Sequence, residues 1–265
     1  MTLHFSPDFW LSRAGLLHGS MDPPSAVRGE WPSSAAADAA PADSLPEFED
    51  TVAHVKSLEL PGGESAAVFV PERYEPNYAY PLLVWLHNGA AGDRDLQALM
   101  RRVSTQNLLA VTVSCPELPS PMPPGGVGEL IDTISGTLRR LKLRYHVHTE
   151  RVYPIGFGNG GSLAMALLLE RPGLFGGAVS LCGGLLNSKQ PLFRFRELNR
   201  KPVLLAGASQ DEHVPVADVV RTGRLLHAAG MSVTTRVYDA GHEMTPRMLR
   251  DVDRWVLGGI GAVTA

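Results

Sequence analysis

Cysteine is scarce in this chain of 265 residues: there are two, Cys115 and Cys182. Two are too few for a disulfide framework and fit a reducing compartment or one buried thiol pair. An excess of one charge is also missing, since Lys and Arg number 24 against 27 Asp and Glu, for a net charge of −3. No basic run exceeds two residues, so the basic patch that nucleic acid or an anionic membrane needs is not there. Nowhere do as many as about 18 apolar residues run together, and the start of the chain lacks a basic stretch followed by an apolar one. The expectation is a cytoplasmic protein with no signal peptide and no membrane span. What is present is 44% hydrophobic and 19% charged residues, the balance of a globular chain with room for one large α/β domain.

The chain opens with Ser6-Pro7-Asp8 ahead of Phe9, Trp10, Arg13, Leu16 and Leu17. Ser at N-cap and Pro at the first helical position predict a short helix, with its segment drawn at residues 1–19. Residues 20–47 are rich in Pro, Ala, Ser and Asp, cannot offset their ordering entropy and read as a linker. One domain is expected over residues 48–258 and a tail over 259–265. Within the domain Thr51 to Leu60 alternates, Pro61-Gly62-Gly63 marks a turn and Ala66 to Val70 is apolar, which is a hairpin pattern. Pro81 to His87, PLLVWLH, is the continuous apolar run of a strand covered on both faces.

Helix and strand signals then alternate. Helices are expected at Asp93 to Gln106, Val127 to Leu143, Ser162 to Glu170, Val216 to Ala229 and Thr245 to Leu257; strands at Leu108 to Ser114, Arg151 to Phe157, Gly177 to Leu181, Val203 to Ala206 and Val233 to Tyr238. A Pro-rich loop fills 116–126 and another segment 184–200, both expected as pocket walls. The alternation predicts an α/β fold: a mostly parallel sheet with an N-terminal antiparallel hairpin and helices on both faces.

Parallel sheets hold their sites at strand carboxyl ends. After Arg151 to Phe157 the strand, tight turn and helix give the context of a nucleophile elbow, G-x-S-x-G, here Gly156-Phe157-Gly158-Asn159-Gly160. The same glycines could serve only packing and positive φ. A dinucleotide fingerprint over Gly156, Gly158 and Gly161 is the weaker reading, because about 20 positions on, where it needs an acid, stands Leu181. The later strand ends carry Asp211 and His242, and the order elbow, acid, histidine is that of the α/β-hydrolase triad. His146 and His148 alternate as a metal pair would, with no third ligand close by, and are taken as surface residues. No metal and no cofactor is expected. Both cysteines read as small buried hydrophobes.

Residues 48–257 resemble an α/β-hydrolase, and within it the carboxylesterase, phospholipase and acyl-protein thioesterase group, with dienelactone hydrolase as a cousin. The matching pieces are LHNGAAGD, RVYPIGFGNGG, GASQDEHVP and AGHEM, in the family's order. The resemblance implies that His242 is the base, that Asp211 fixes its tautomer, and that the backbone N–H groups of Gly89 and Asn159 are the oxyanion donors. Asn88 stands where the group has glycine.

Gly158 occupies the place of the attacking serine. Removing that hydroxyl from a serine protease lowers turnover on the order of a million-fold, roughly 8 kcal/mol of barrier, and glycine offers no atom for an acyl-enzyme. Ser162, Ser114 and Cys115 are the candidate substitutes, and water activated by His242 is another route. Three functions stay open: a catalytically impaired ester-hydrolase scaffold that takes a small acyl or carbonyl ligand, an active hydrolase using water or a displaced nucleophile, and a non-catalytic interaction protein using the Phe9-Trp10 segment. A second copy of the chain remains open as a partner.

Overall fold

The computed structural model describes residues 2–4, 53–60, 65–87, 93–115, 127–185 and 194–261. Contacts divide the chain into one unit of Met1–Phe5 with Asp50–Ala265 and a second of Ser6–Glu49. The helix expected from Ser6, the linker at 20–47, the 61–63 turn and the 116–126 loop all lie outside the described residues. Inside the segment drawn as helical at 1–19, Thr2–His4 form a strand, β1.

The remaining strands are β2 His54–Glu59, β3 Ser65–Val70, β4 Tyr80–His87, β5 Leu109–Ser114, β6 Val147–Phe157, β7 Ala178–Leu181, β8 Pro202–Ala208 and β9 Ser232–Tyr238. The helices are α1 Asp93–Val103, α2 Gly128–Lys142, α3 Asn159–Glu170, α4 Phe195–Leu198, α5 Val216–Ala228 and α6 Pro246–Gly261. Among the described residues they form one sheet in the order β1-β9-β8-β7-β6-β4-β5-β3-β2. All pairs from β5 through β4, β6, β7 and β8 to β9 are parallel. The expected hairpin is β2 and β3, antiparallel from His54 opposite Val70 to Glu59 opposite Ser65. β1 adds an antiparallel edge on β9.

The inner strand β4 shows why its sequence is apolar from Pro81 to Leu86. Leu82, Val84 and Leu86 enter one core with Leu130 and Ile134 of α2, Leu163 and Leu167 of α3, and Val219 and Leu226 of α5. Leu83 and Trp85 enter the other, with Leu96 and Met100 of α1 and Met248, Leu249 and Val252 of α6. From β4 the chain moves one way to β5 and then back across to β6, β7, β8 and β9. Right-handed crossovers in opposite directions must lie on opposite faces, which is why α1 and α2 are separated by the sheet.

Four boundaries differ from expectation by three residues or more, the first being α1, which ends at Val103 rather than Gln106. β6 begins at Val147 rather than Arg151, through polar residues that carry no apolar signal. α3 begins at Asn159 rather than Ser162, because the chain reverses in one residue and enters the helix directly. α6 runs to Gly261, past Gly258 and Gly259, which read as a stop and so set the tail too early.

Candidate functional site

β6 delivers Phe157 to the carboxyl edge of the sheet, and the backbone turns at Gly158 with φ +56° and ψ −118°. A side chain there costs of order 1 to 3 kcal/mol. The turn is held at both polar ends. The N–H of Gly158 donates to Leu181 O at 2.8 Å, and its carbonyl accepts from the Ser162 N–H at 3.0 Å and the Ser162 hydroxyl at 3.3 Å. The helix is packed close: a Cβ on Gly156 would lie 2.3 Å from the carbonyl carbon of Gly160, and one on Gly160 would lie 2.6 Å from Leu86 O.

Asp211 follows β8. Its Oδ1 accepts the N–H groups of His213 at 2.9 Å and Val214 at 2.8 Å, and its Oδ2 lies 2.8 Å from His242 Nδ1. Burial works to raise the pKa of this carboxyl, but the Val214 N–H, the His242 hydrogen bond and the His213 N–H together hold it below the ordinary carboxylate value. An ionised carboxylate only accepts, so Nδ1 carries a proton, and in the neutral imidazole Nε2 keeps its lone pair. That lone pair belongs to the nitrogen facing Gly158. A Cβ built on the glycine would stand 3.3 Å from His242 Nε2 and 3.6 Å from Cε1. Strands are about 4.8 Å apart, so β6 and β8 are separated by roughly 10 Å across β7. The imidazole reaching in from the loop after β9 spans that gap.

Three neighbours of the dyad were not expected from sequence. The Phe157 ring lies 4.7 Å from the His242 ring at 49°, and the His213 ring lies 4.7 Å from it at 79°, so the imidazole has an aromatic on two sides. Cys182, directly after β7, is fully buried with φ 48° and feels the charge of Asp211. Burial first, then the charge of Asp211, push its thiol up to about 12. The available signal was position: Cys182 ends the strand beside the one that leads to Asp211, and His213 is two residues from it.

The other expected site residues are placed as follows. Asn159 opens α3 beside Gly158, where first-turn N–H groups have no partner within the helix. Gly89, with Asn88, lies outside the described residues. Ser162 is buried, its hydroxyl donating to Gly158 O and accepting from the Gly184 N–H at 2.9 Å, so both its polar functions are engaged inside the turn. Cys115 is buried, its thiol pushed up to about 12 by burial and directed at Val113 O, which keeps it from being a thiolate. Ser114 is exposed at the end of β5. Among the described residues no group of His, Cys, Asp and Glu could hold a metal ion, and no helix is long and apolar enough to cross a membrane.

A mostly parallel sheet with an acid after β8, a histidine after β9 and a strand-turn-helix elbow after β6 has the architecture of an α/β-hydrolase. The Phospholipase/Carboxylesterase family model matches residues 124–257, just over half of the chain, and the chain belongs to that family. No curated protein matches it in sequence. Among solved structures it is similar to a carboxylesterase of Bacillus cereus at 20% identity, covering 73% of this chain and 93% of that one with a TM-score of 0.59. It is similar to SOBER1 of Arabidopsis thaliana at 17% identity, over 69% of this chain and 100% of that one, TM-score 0.55. A CE1 ferulic acid esterase of Anaeromyces mucronatus aligns at 14% identity over 83% of this chain and 95% of its own, TM-score 0.60. These likenesses carry the fold.

Proposed function

We propose that this Phospholipase/Carboxylesterase family protein is impaired as an ester hydrolase and keeps a crevice for a small acyl or carbonyl compound between His242 and the start of α3. One observation carries the reading: His242 Nε2 is 3.3 Å from where the first side-chain carbon of residue 158 would be, and residue 158 is glycine. In this reading His242 is the base, Asp211 orients it and steadies the imidazolium, and the N–H groups of Asn159 and Gly89 receive the carbonyl oxygen. The attacking hydroxyl is what the site lacks.

Position 158 cannot form an acyl-enzyme. The preserved distance favours a second reading, slow direct hydrolysis by a water that His242 deprotonates. The test combines a fluorophosphonate probe, a chromogenic acetate ester and a thermal-shift panel of short esters, acids and thioesters. The expected outcome is no labelling, slow or no turnover, and a thermal shift with at least one ligand that is reduced in His242→Ala. Labelling of the wild-type protein would overturn the impaired reading, and silence across the whole panel would remove the crevice as a binding site. Turnover without labelling that vanishes in His242→Ala would establish the water route.

A further inference from the structure

No basic run in the sequence exceeds two residues, but the fold gathers four cations at the end of α2. Arg139, Arg140, Lys142 and Arg144 are exposed. Leu143 in their midst is 85% exposed, the most of any large apolar side chain among the described residues. We propose that this end of the molecule is a docking surface for an anionic lipid bilayer, with Leu143 entering the headgroup layer and the cations meeting the lipid phosphates and carboxylates.

Helical spacing makes these residues one patch. Leu143 keeps helical dihedrals, φ −76° and ψ −19°, and the Arg144 N–H still donates to Leu141 O at 3.0 Å, so the turn continues through both. Residues three and four apart share a face, which puts Arg139 and Arg140 one turn behind Leu143 and Arg144 one turn ahead of Arg140. Leu138 and Leu141 fill the core on the other side. None of the four cations forms an ion pair among the described residues, and Arg140 donates to the Glu59 backbone carbonyl at 3.4 Å. Cations at a helix carboxyl end also favour the helix dipole, but the dipole gives no reason for an exposed leucine between them.

The edge on which they stand is of the same kind. α2 leads into β6, so its end lies at the amino edge of the parallel strands, where the Tyr80 N–H donates to His146 O at 2.9 Å. Tyr78, 44% exposed, stands just ahead of β4, and Leu225, 42% exposed, is in the last turn of α5 ahead of β9. With Leu143 these are the exposed large apolar side chains among the described residues, and all three are on this edge. Ring contacts run from Tyr78 to Tyr80 at 4.7 Å, on to Tyr74 at 5.1 Å and then to Tyr145 at 5.6 Å, which ties Tyr78 to the end of α2. Leucine and tyrosine beside arginine and lysine are what an interfacial surface carries. Single apolar side chains on separate elements suit a bilayer better than a folded partner, whose interface has a closely packed apolar centre. The site is at the other edge: the eight residues of β4 span about 25 Å. A docked molecule therefore turns His242 away from the bilayer, and its ligand arrives from water.

The test uses the full chain and sucrose-loaded vesicles of phosphatidylcholine, alone or with about a third of phosphatidylserine, sedimented at low and at high salt. The wild-type chain is expected to pellet with the anionic vesicles at low salt, and to stay in solution with phosphatidylcholine alone or at high salt. Each cation near an anionic surface multiplies partitioning about fivefold, so Arg139→Gln with Arg144→Gln should weaken binding about 25-fold. Leu143→Ser should weaken it several-fold with all four cations in place. Arg247→Gln with Arg250→Gln removes the same charge from exposed positions at the start of α6, on the other edge, and should leave binding unchanged. All these side chains are exposed, so urea midpoints should match the wild type. No pelleting with anionic vesicles at low salt, equal pelleting with phosphatidylcholine alone, or equal loss from the two charge pairs would overturn the surface. Retention on immobilised poly-L-glutamate without pelleting would overturn it in favour of an acidic protein partner.

Discussion

Residue 158 decides what this site can do, and its backbone and its side chain pull in opposite directions. With φ +56° the position strains any residue that carries a Cβ, so glycine gives the more stable protein. The same glycine brings no hydroxyl to His242, whose Nε2 would stand 3.3 Å from a Cβ built there. Gly158→Ser should therefore lower stability by about 1 to 3 kcal/mol, a fall in Tm of about 2 to 4 °C for each kcal/mol in a chain this long. Among the described residues its Cβ would meet only the edge of His242, at 3.3 Å, so the hydroxyl lands beside the base. The variant should gain fluorophosphonate labelling and a burst of nitrophenol from an acetate ester. A stable variant with neither would show that the dyad does not activate a hydroxyl placed there.

At the scale of elements, the join between β6 and α3 is built on glycine for two different reasons. Gly158 supplies a turn, while Gly156 and Gly160 supply contact, each leaving no room for a methyl against backbone. Gly160→Ala would drive a Cβ to 2.6 Å from Leu86 O in the inner strand β4, where neither partner can swing aside. It should cost more than the roughly 1 to 3 kcal/mol of ordinary overpacking. Gly136 in α2 is the contrast, with nothing within 4 Å of an added Cβ, and Gly136→Ala should stabilise by about 0.5 to 1 kcal/mol. Urea midpoints of the two variants should move in opposite directions, and movement in the same direction would contradict this account.

The join also marks how far the sequence could be read. β4 and the strand-turn-helix were legible because local pattern sets them: a run apolar on both faces, then glycines where a chain must reverse. Asp211 and His242 were legible through their order along the chain. Phe157 and His213 flanking His242, and Cys182 on Asp211, were not, because those contacts arise only once β7, β8 and β9 lie side by side. The polar start of β6 was hidden for the same reason, since Val147 pairs with Tyr80 of β4 and the register then shifts so that Val152 pairs with Leu82.

For the whole molecule, two buried carboxylates among the described residues, Asp211 and Asp251, contribute to the acid limb of stability. Asp211 is held low as described above. In Asp251, burial raises the pKa, but Arg236 at 2.5 Å, the Tyr238 hydroxyl at 2.8 Å and Arg254 at 3.2 Å outweigh it and hold the carboxyl below the ordinary range. A folded-state pKa below the unfolded value of about 3.9 contributes stability that is present above that pH and is lost as pH falls through the folded value. Asp253 opposes this. Burial raises its pKa over the lowering effects of Ser104 and Arg254, so its ionisation costs stability as pH rises and works against the other two. Asp251 joins α6 to β9, the two elements on either side of the His242 loop, so the same carboxylate steadies the fold and brackets the site. Asp251→Asn should lose about 2 to 4 kcal/mol at pH 7, somewhat under the 3 to 5 of a fully buried broken pair, because the Arg236 side chain is 21% exposed. Near pH 3 the gap should narrow, since the unfolded wild-type chain, with a carboxyl pKa of about 3.9, is by then taking up a proton that the folded state resists. Urea unfolding of both proteins at the two pH values measures this, and a gap of constant size would show that Asp251 acts by shape and not by charge.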